Sequence, residues 1–228
     1  MRIQWFGQSS FLLSGKQSVF IDPFGQPGEA LAARGLEFNY APIENVTADL
    51  LLITHEHIDH NAAEAIGGEP VTIRSTAGRF DSPVGEVLAI ASEHDDVAGT
   101  ARGPNTIFRF TLDGITFCHL GDFGQSALRP AQREAIGEVD VLIVPVGGGP
   151  TTGGERAAEL VRSVAPRLVV PMHYRTPAVN FLEPPDSFVA ALGWNTTHLD
   201  TSHVDVEGML DSPTVVLFAP PIGYRSTI

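Results

Sequence analysis

The run His55-Glu56-His57-Ile58-Asp59-His60 restricts what this chain can become more than any other feature. Four of its six residues, His55, His57, Asp59 and His60, can ligate a borderline-soft divalent cation, and they follow directly on the apolar segment Leu50-Leu51-Leu52-Ile53. With that segment as a strand, the two-residue period sends His55 and His57 to the same side, and the following turn swings Asp59 and His60 toward a neighbouring position. One loop then feeds two adjacent metal positions. The helical zincin pattern needs histidines at i and i+4 around a glutamate, but position 59 is aspartate. The bland alternative, a solvated polar turn, leaves so rich an imidazole cluster at a strand end unexplained.

The surrounding pattern is mixed. Short β-type runs cover residues 3–6, 10–13, 19–22, 50–54, 86–92, 106–112 and 115–120. Helix-like segments at 61–66, 130–136, 152–164 and 185–192 alternate with further strands at 139–144, 168–170 and 214–218. Thr152 and Glu155 have capping-box spacing, which predicts a helix opening on Thr152. Residues 25–41 are weakly patterned and form a surface loop with a short helix beside the site opening. No linker, repeat or low-complexity tract interrupts the chain, so one layered α/β domain over residues 1–228 is expected.

With 14 basic against 27 acidic side chains the net charge is -13, which repels a phosphate backbone and argues against nucleic acid as partner. Bound divalent cations reverse that sign locally, so a small anionic substrate stays compatible with the site. The single cysteine, Cys118, lies in the apolar run Ile115-Thr116-Phe117-Cys118, which predicts a buried inert thiol and suits a reducing compartment. Residues 1–7 enter strand alternation without a signal-type leader, and no apolar run approaches membrane-spanning length. A cytoplasmic protein without a membrane partner is expected, acting on a small molecule; a homo-oligomer is compatible with the sequence.

Further candidate ligands sit after later strand-like runs. His94 lies in Ser92-Glu93-His94-Asp95-Asp96, where the flanking acids are alternative oxygen donors. Asp122 follows Cys118-His119-Leu120-Gly121, and His173 follows Leu168-Val169-Val170-Pro171-Met172. Strand ends are where sheet-based sites collect functional side chains, although Asp122 also suits a simple turn. His119, inside its strand, reads as a packed or supporting histidine, and His198 and His203 as surface residues. Gly147-Gly148-Gly149-Pro150 lacks the Gly-Lys-Ser/Thr ending of a nucleotide loop and reads as a flexible rim beside the metals.

Together these motifs resemble the metallo-β-lactamase superfamily, whose hallmark is a His-x-His-x-Asp-His loop after a buried strand. Similar too are Ile21-Asp22-Pro23, His94, Gly121-Asp122 and His173 in their contexts, so the likeness runs from about Gly7 to Tyr174. It implies an α/β (α+β) four-layer αββα sandwich holding two divalent metal ions, zinc with manganese or iron as alternatives. By that likeness His55, His57 and His94 hold the first ion, Asp59, His60 and His173 the second, and Asp122 bridges them. Asp22, from outside the ligand set, orients the loop. The segments Gln8-Ser9-Ser10-Phe11-Leu12 and Pro145-Val146-Gly147-Gly148-Gly149 look like the branch of ascorbate-6-phosphate lactonase-like and uncharacterised metal-dependent hydrolases. That branch often carries histidine where this chain has Gln8.

Neutral imidazoles suit zinc, and a bridging carboxylate offsets repulsion between cations about 3.5–4 Å apart. Two cations sharing a water supply hydroxide near neutrality and polarise the oxygen under attack. Asp59, bound to one cation only, is expected to orient that nucleophile or take its proton. The implied function is a binuclear hydrolase of a lactone or ester. A phosphodiesterase using the same site is an alternative, and a metal-dependent binding or sensing protein is the non-enzymatic one. Arg102 and Tyr174 are candidates for contacting substrate or supporting the loops around it.

Overall fold

The computed structural model describes residues 1–25 and 31–221. The chain runs through β1 (Arg2–Gly7), β2 (Ser10–Ser14), β3 (Ser18–Ile21), β4 (Val46–Thr47), β5 (Leu50–Ile53), a 3₁₀ turn (Ala63–Ala65), β6 (Ile66–Gly67), β7 (Val71–Arg74), β8 (Gly78–Ser82), β9 (Gly85–Glu93), β10 (Pro104–Leu112) and β11 (Ile115–His119). It continues through α1 (Pro130–Ile136), β12 (Val141–Pro145), α2 (Gly154–Val164), β13 (Leu168–Met172), α3 (Asp186–Leu192), β14 (Asn195–His198), β15 (His203–Asp205) and β16 (Thr214–Leu217). One sheet has the order β15-β1-β2-β3-β5-β7 and the other β14-β16-β13-β12-β11-β10-β9-β8, with β4 and β6 paired apart.

The apolar runs explain which strands lie inside. β5, β12 and β13 are buried at every position, as parallel strands covered on both faces must be. In the first sheet the two-residue period sorts side chains into two cores. Val19, Ile21, Leu50 and Leu52 join Phe108, Phe110, Leu142 and Val170 of the second sheet in the main core. Phe20, Leu51 and Ile53 face the other way, against Phe24, Phe38, Tyr40 and Leu182. Helices α1 to α3 add Ile136, Val161 and Phe188 to the main core, completing the layered α/β sandwich that the pattern implied.

Strand direction brings the functional segments to one rim. β2 is antiparallel to both β1 and β3, while β3 and β5 are parallel, so β1, β3 and β5 all end on the same side. By the same reasoning β9, β11 and β13 share one direction, because β10 is antiparallel to β9 and β11, and β12 is parallel to β11 and β13. The residues just past these six strands include Gln8, Asp22, His55, His94, Asp122 and His173.

Several local expectations change. Residues 61–66 form only the 3₁₀ turn, since Ile66 and Gly67 pair with β4 and Ala62 donates its N–H to the Pro23 carbonyl. Helix α2 begins one residue later than the capping-box spacing suggests: Gly153 is the cap, and the Thr152 hydroxyl donates instead to the Phe123 carbonyl at 2.8 Å. Strands β7, β8, β14 and β15 escape sequence detection because most of their residues are exposed or half-buried and carry no apolar alternation. His198 and His203 are exposed as expected, but within β14 and β15. Among the described residues no helix is long and apolar enough to cross a membrane.

Trp5 joins these layers at the rim. Its ring lies 5.4 Å from Tyr174, 6.2 Å from Tyr40 and 6.3 Å from Phe218, and its indole N–H donates to the Gln8 carbonyl at 3.0 Å. Trp5→Ala is expected to cost about 3–5 kcal/mol of stability, read as a lowered urea midpoint at unchanged slope.

Candidate metal centre

The ligand loop is organised by one buried carboxylate. Asp22 accepts the Thr54 N–H and the Thr54 hydroxyl, each at 2.7 Å, and stands 3.0 Å from His60 Nδ1. His60 therefore donates from Nδ1 and presents Nε2 to the cluster, the usual arrangement of a metal-binding imidazole and its supporting carboxylate. The Thr54 hydroxyl, its proton committed to Asp22, accepts from His55 Nδ1 at 3.0 Å. That leaves His55 Nε2 unprotonated, 3.0 Å from His57 Nδ1. Glu56 turns away to Arg74 and Ser75, which leaves its neighbours free to face inward.

The second sheet supplies the remaining groups. Asp122 Oδ2 lies 3.1 Å from His94 Nε2, 3.3 Å from both His60 Nε2 and His173 Nε2, and 4.0 Å from His55 Nε2. Donor atoms gather in three overlapping sets: His55, His57 and His94; His55, His60 and Asp122; Asp59, His60 and His173. All seven expected ligands thus meet at one place. Buried His60 Nε2 has no hydrogen-bond partner despite its proximity to two carboxylates, so a group that is not a hydrogen-bond donor or acceptor suits the position better. Imidazole nitrogens and carboxylate oxygens in this proportion fit a divalent transition ion.

Electrostatics agree with that fit. Burial pushes His55 down to about 2, with His60 adding to the effect, and burial likewise lowers His57, so both rings are neutral and ready to ligate. At His60 burial also pulls down, but Asp122, Asp59 and Asp22 together outweigh it and raise the group well above its ordinary value. Positive charge is therefore favoured at His60 Nε2, carried either by a proton or by a cation that displaces it. Burial pushes Asp122 up, yet His173 and His60 overcome it and hold the carboxyl well below its usual range, ionised and available to cations.

Several supporting residues had no local signal in the sequence. The Gln8 amide donates to Asp59 Oδ2 at 3.1 Å, Ser9 Oγ donates to Asp122 Oδ1 at 3.3 Å, and Asn105 Oδ1 accepts the Asp122 N–H at 3.0 Å. His119 accepts the Gly121 N–H on Nδ1 and donates from Nε2 to the Ser9 carbonyl, both at 3.1 Å. It therefore ties the turn after β1 to the loop bearing Asp122 and has no nitrogen left for a metal. Gln8, Asp22 and His173 have φ of 50°, 49° and 51°, a left-handed backbone that the surrounding contacts must hold. Gly147 is a close-packed support: a Cβ there would stand 2.1 Å from the His173 carbonyl oxygen. The acids beside His94 are engaged elsewhere, Glu93 with Arg129, Asp96 with Arg156, and Asp95 in its own loop.

A cavity of about 300 Å³ opens over the cluster, exposing His57, Asp59, His94, Asp122 and His173 at its floor. Its wall includes Leu31, Leu36, Ile58 and Phe181, and Arg34 and Arg102 also line it. Arg102 stands where a substrate contact was expected. Tyr174 does not: it is buried against Trp5, and burial raises its hydroxyl above the ordinary tyrosine range. The expected loop beside the opening is present from Leu31 onward, while residues 26–30 fall outside the described part.

A sandwich with a histidine and aspartate cluster at one rim, beneath a small cavity, is the arrangement of a metal-dependent enzyme, and relatives of this chain are metal-dependent hydrolases. The beta-lactamase superfamily domain model matches residues 2–173, and the chain belongs to that metallo-β-lactamase superfamily. It is 30% identical over 204 residues to the UPF0173 metal-dependent hydrolase of Thermococcus kodakarensis, covering 77% of this chain and 85% of that one. The same identity holds over 206 residues with the UPF0173 metal-dependent hydrolase of Pelotomaculum thermopropionicum, again covering 77% and 85%. Among solved structures, a metallo-β-lactamase superfamily protein of Thermotoga maritima, assigned as a zinc-dependent hydrolase, superposes with a TM-score of 0.77. That pair shares 30% identity over 95% of this chain and 97% of the other.

Gln8 gives a direct test of the site's support. Gln8→Leu and Gln8→His both keep an L side chain at this left-handed position and differ in whether a donor can face Asp59. The leucine variant is expected to weaken metal binding by the cluster containing Asp59 about 10–100-fold in chelator competition, and the histidine variant much less. Equal affinities for both variants would remove Gln8 from the support of Asp59.

Proposed function

We propose that the chain holds two divalent cations and hydrolyses a lactone or ester of a small molecule. In this reading His55, His57 and His94 hold one cation, Asp59, His60 and His173 the other, and Asp122 contacts both. Zinc suits the imidazole-rich donor set, with manganese or iron as alternatives. The observation that carries the reading is the convergence of four imidazoles on Asp122 Oδ2 within 4.0 Å, flanked by two separate donor trios. When bound, such a pair of cations acidifies water and polarises the oxygen of the bond under attack.

The protein's own groups do the rest. Asp122, fixed by Ser9 and Asn105, supplies negative charge midway between the two trios. Asp59 keeps one oxygen on the Gln8 amide and borders the cavity, so its carboxylate can orient a water and accept its proton. Leu31, Leu36, Ile58 and Phe181 form an apolar wall that suits an acyl chain, and Arg34 and Arg102 line the same cavity. The cavity's volume is at the lower end for small-molecule sites.

Purified protein is expected to contain close to two metal ions per chain, and its hydrolase activity should vanish with chelator and return with zinc. Asp122→Ala should lose both metal binding and turnover while keeping its far-ultraviolet circular dichroism; full turnover would remove Asp122 from the shared position. A paired screen of lactones and phosphodiesters with metal-loaded protein tests the bond type. Turnover confined to phosphodiesters would replace the lactone or ester assignment.

A further inference from the structure

The two donor trios are held in place very unequally. In the trio of Asp59, His60 and His173 every side chain has a partner from outside the cluster. Asp59 Oδ2 accepts from the Gln8 amide at 3.1 Å, and Asp22, itself locked by the Thr54 N–H and hydroxyl, stands 3.0 Å from His60 Nδ1. Thr151 Oγ1, on the glycine-rich turn after β12, lies 3.5 Å from His173 Nδ1. With Nδ1 committed to Asp22, His60 presents a buried Nε2 that is 3.6 Å from Asp59 Oδ2 and 3.3 Å from Asp122 Oδ2 and has no hydrogen-bond partner among the described residues. The donor atom is aimed, flanked by two carboxylates and uncommitted.

The trio of His55, His57 and His94 lacks these supports. Only His55 has an outside partner, the Thr54 hydroxyl at 3.0 Å. His57 is exposed, and its Nδ1 stands 3.0 Å from His55 Nε2, where one ring donates to the other, so a cation that takes His55 Nε2 must displace that hydrogen bond. His94 turns Nε2 to Asp122 at 3.1 Å, while its buried Nδ1 has no hydrogen-bond partner among the described residues to fix the ring. This trio also contains no carboxylate of its own and has only the shared Asp122 to balance a cation. Outer partners orient a metal-binding side chain and raise its basicity, and a carboxylate adds an attraction that neutral imidazoles lack.

We infer that the two cation positions differ in affinity: the one formed by Asp59, His60 and His173 fills first and empties last, and the one formed by His55, His57 and His94 is exchangeable. A chain short of metal keeps its single ion beside Asp59. The number of ions per chain then follows metal supply, through the position that the sequence marks most plainly with paired histidines. The inference rests on the two-cation reading above, and the test separates the order of filling from the number of ions.

The full chain, loaded with zinc, is dialysed against rising chelator concentrations, and the zinc left per chain is measured by elemental mass spectrometry. Zinc should leave in two steps at least about tenfold apart in free zinc, with a plateau at one ion per chain. Crystals prepared at that plateau, with diffraction recorded across the zinc absorption edge, should place the ion among Asp59, His60 and His173. In His57→Ala the looser step is expected to vanish while the tighter one stays; in Gln8→Leu the tighter step should move toward the looser and narrow the gap. Departure of both ions in one step, a lone ion among His55, His57 and His94, or loss of the tighter step in His57→Ala would each overturn the inference. If no preparation holds more than one ion, the two-cation reading fails, and the place of that ion still decides the preference: beside Asp59 and His173 it supports it, and beside His57 and His94 it overturns it.

Discussion

One oxygen atom organises the rim of this protein. Asp122 Oδ2 is buried among imidazole nitrogens from both sheets, three of them within 3.3 Å. A carboxylate and nitrogen lone pairs crowded together away from water repel, and an unpaired buried ion costs several kcal/mol even after relaxation. Cations held here would remove the conflict by accepting those electron pairs. The neighbouring contacts only make sense around such a centre: Ser9 and Asn105 hold Asp122, Asp22 aims His60, and Thr54 fixes the tautomer of His55.

The two-sheet architecture is what permits the crowding. A single loop can deliver His55, His57, Asp59 and His60, but their common target must come from elsewhere. The parallel directions of β9, β11 and β13 bring His94, Asp122 and His173 to the edge where β5 ends. The left-handed backbone at Gln8, Asp22 and His173 shows the strain concentrated there, and hydrogen bonds from distant segments hold it.

What was legible in the sequence follows from the range of each interaction. Ligands adjacent to buried apolar strands could be read, because strand and ligand occupy the same short window, as at Leu50 to His60. Of the support residues, Asp22 and His119 were legible beside strands, but Gln8 and Ser9 were not: Gln8 meets Asp59 and Ser9 meets Asp122 only after β1 and its partners assemble. Tyr174 takes the supporting one of its two expected roles for a related reason. Adjacency to His173 suggests the cavity, but successive side chains leave a strand end in different directions, and its ring goes to Trp5. The edge strands were missed because exposed residues carry no hydrophobic period.

That the ligands come from both sheets also orders events in time. His55 and His173 are separated by more than half the chain, and His173 takes its place only when β13 has paired with β12. A ribosome that has released the chain as far as β7 has made a loop of four candidate ligands without their partners. A metal held by all seven residues would therefore load fully only after β13 is made, and would then clasp strands that the growing chain delivers at different times.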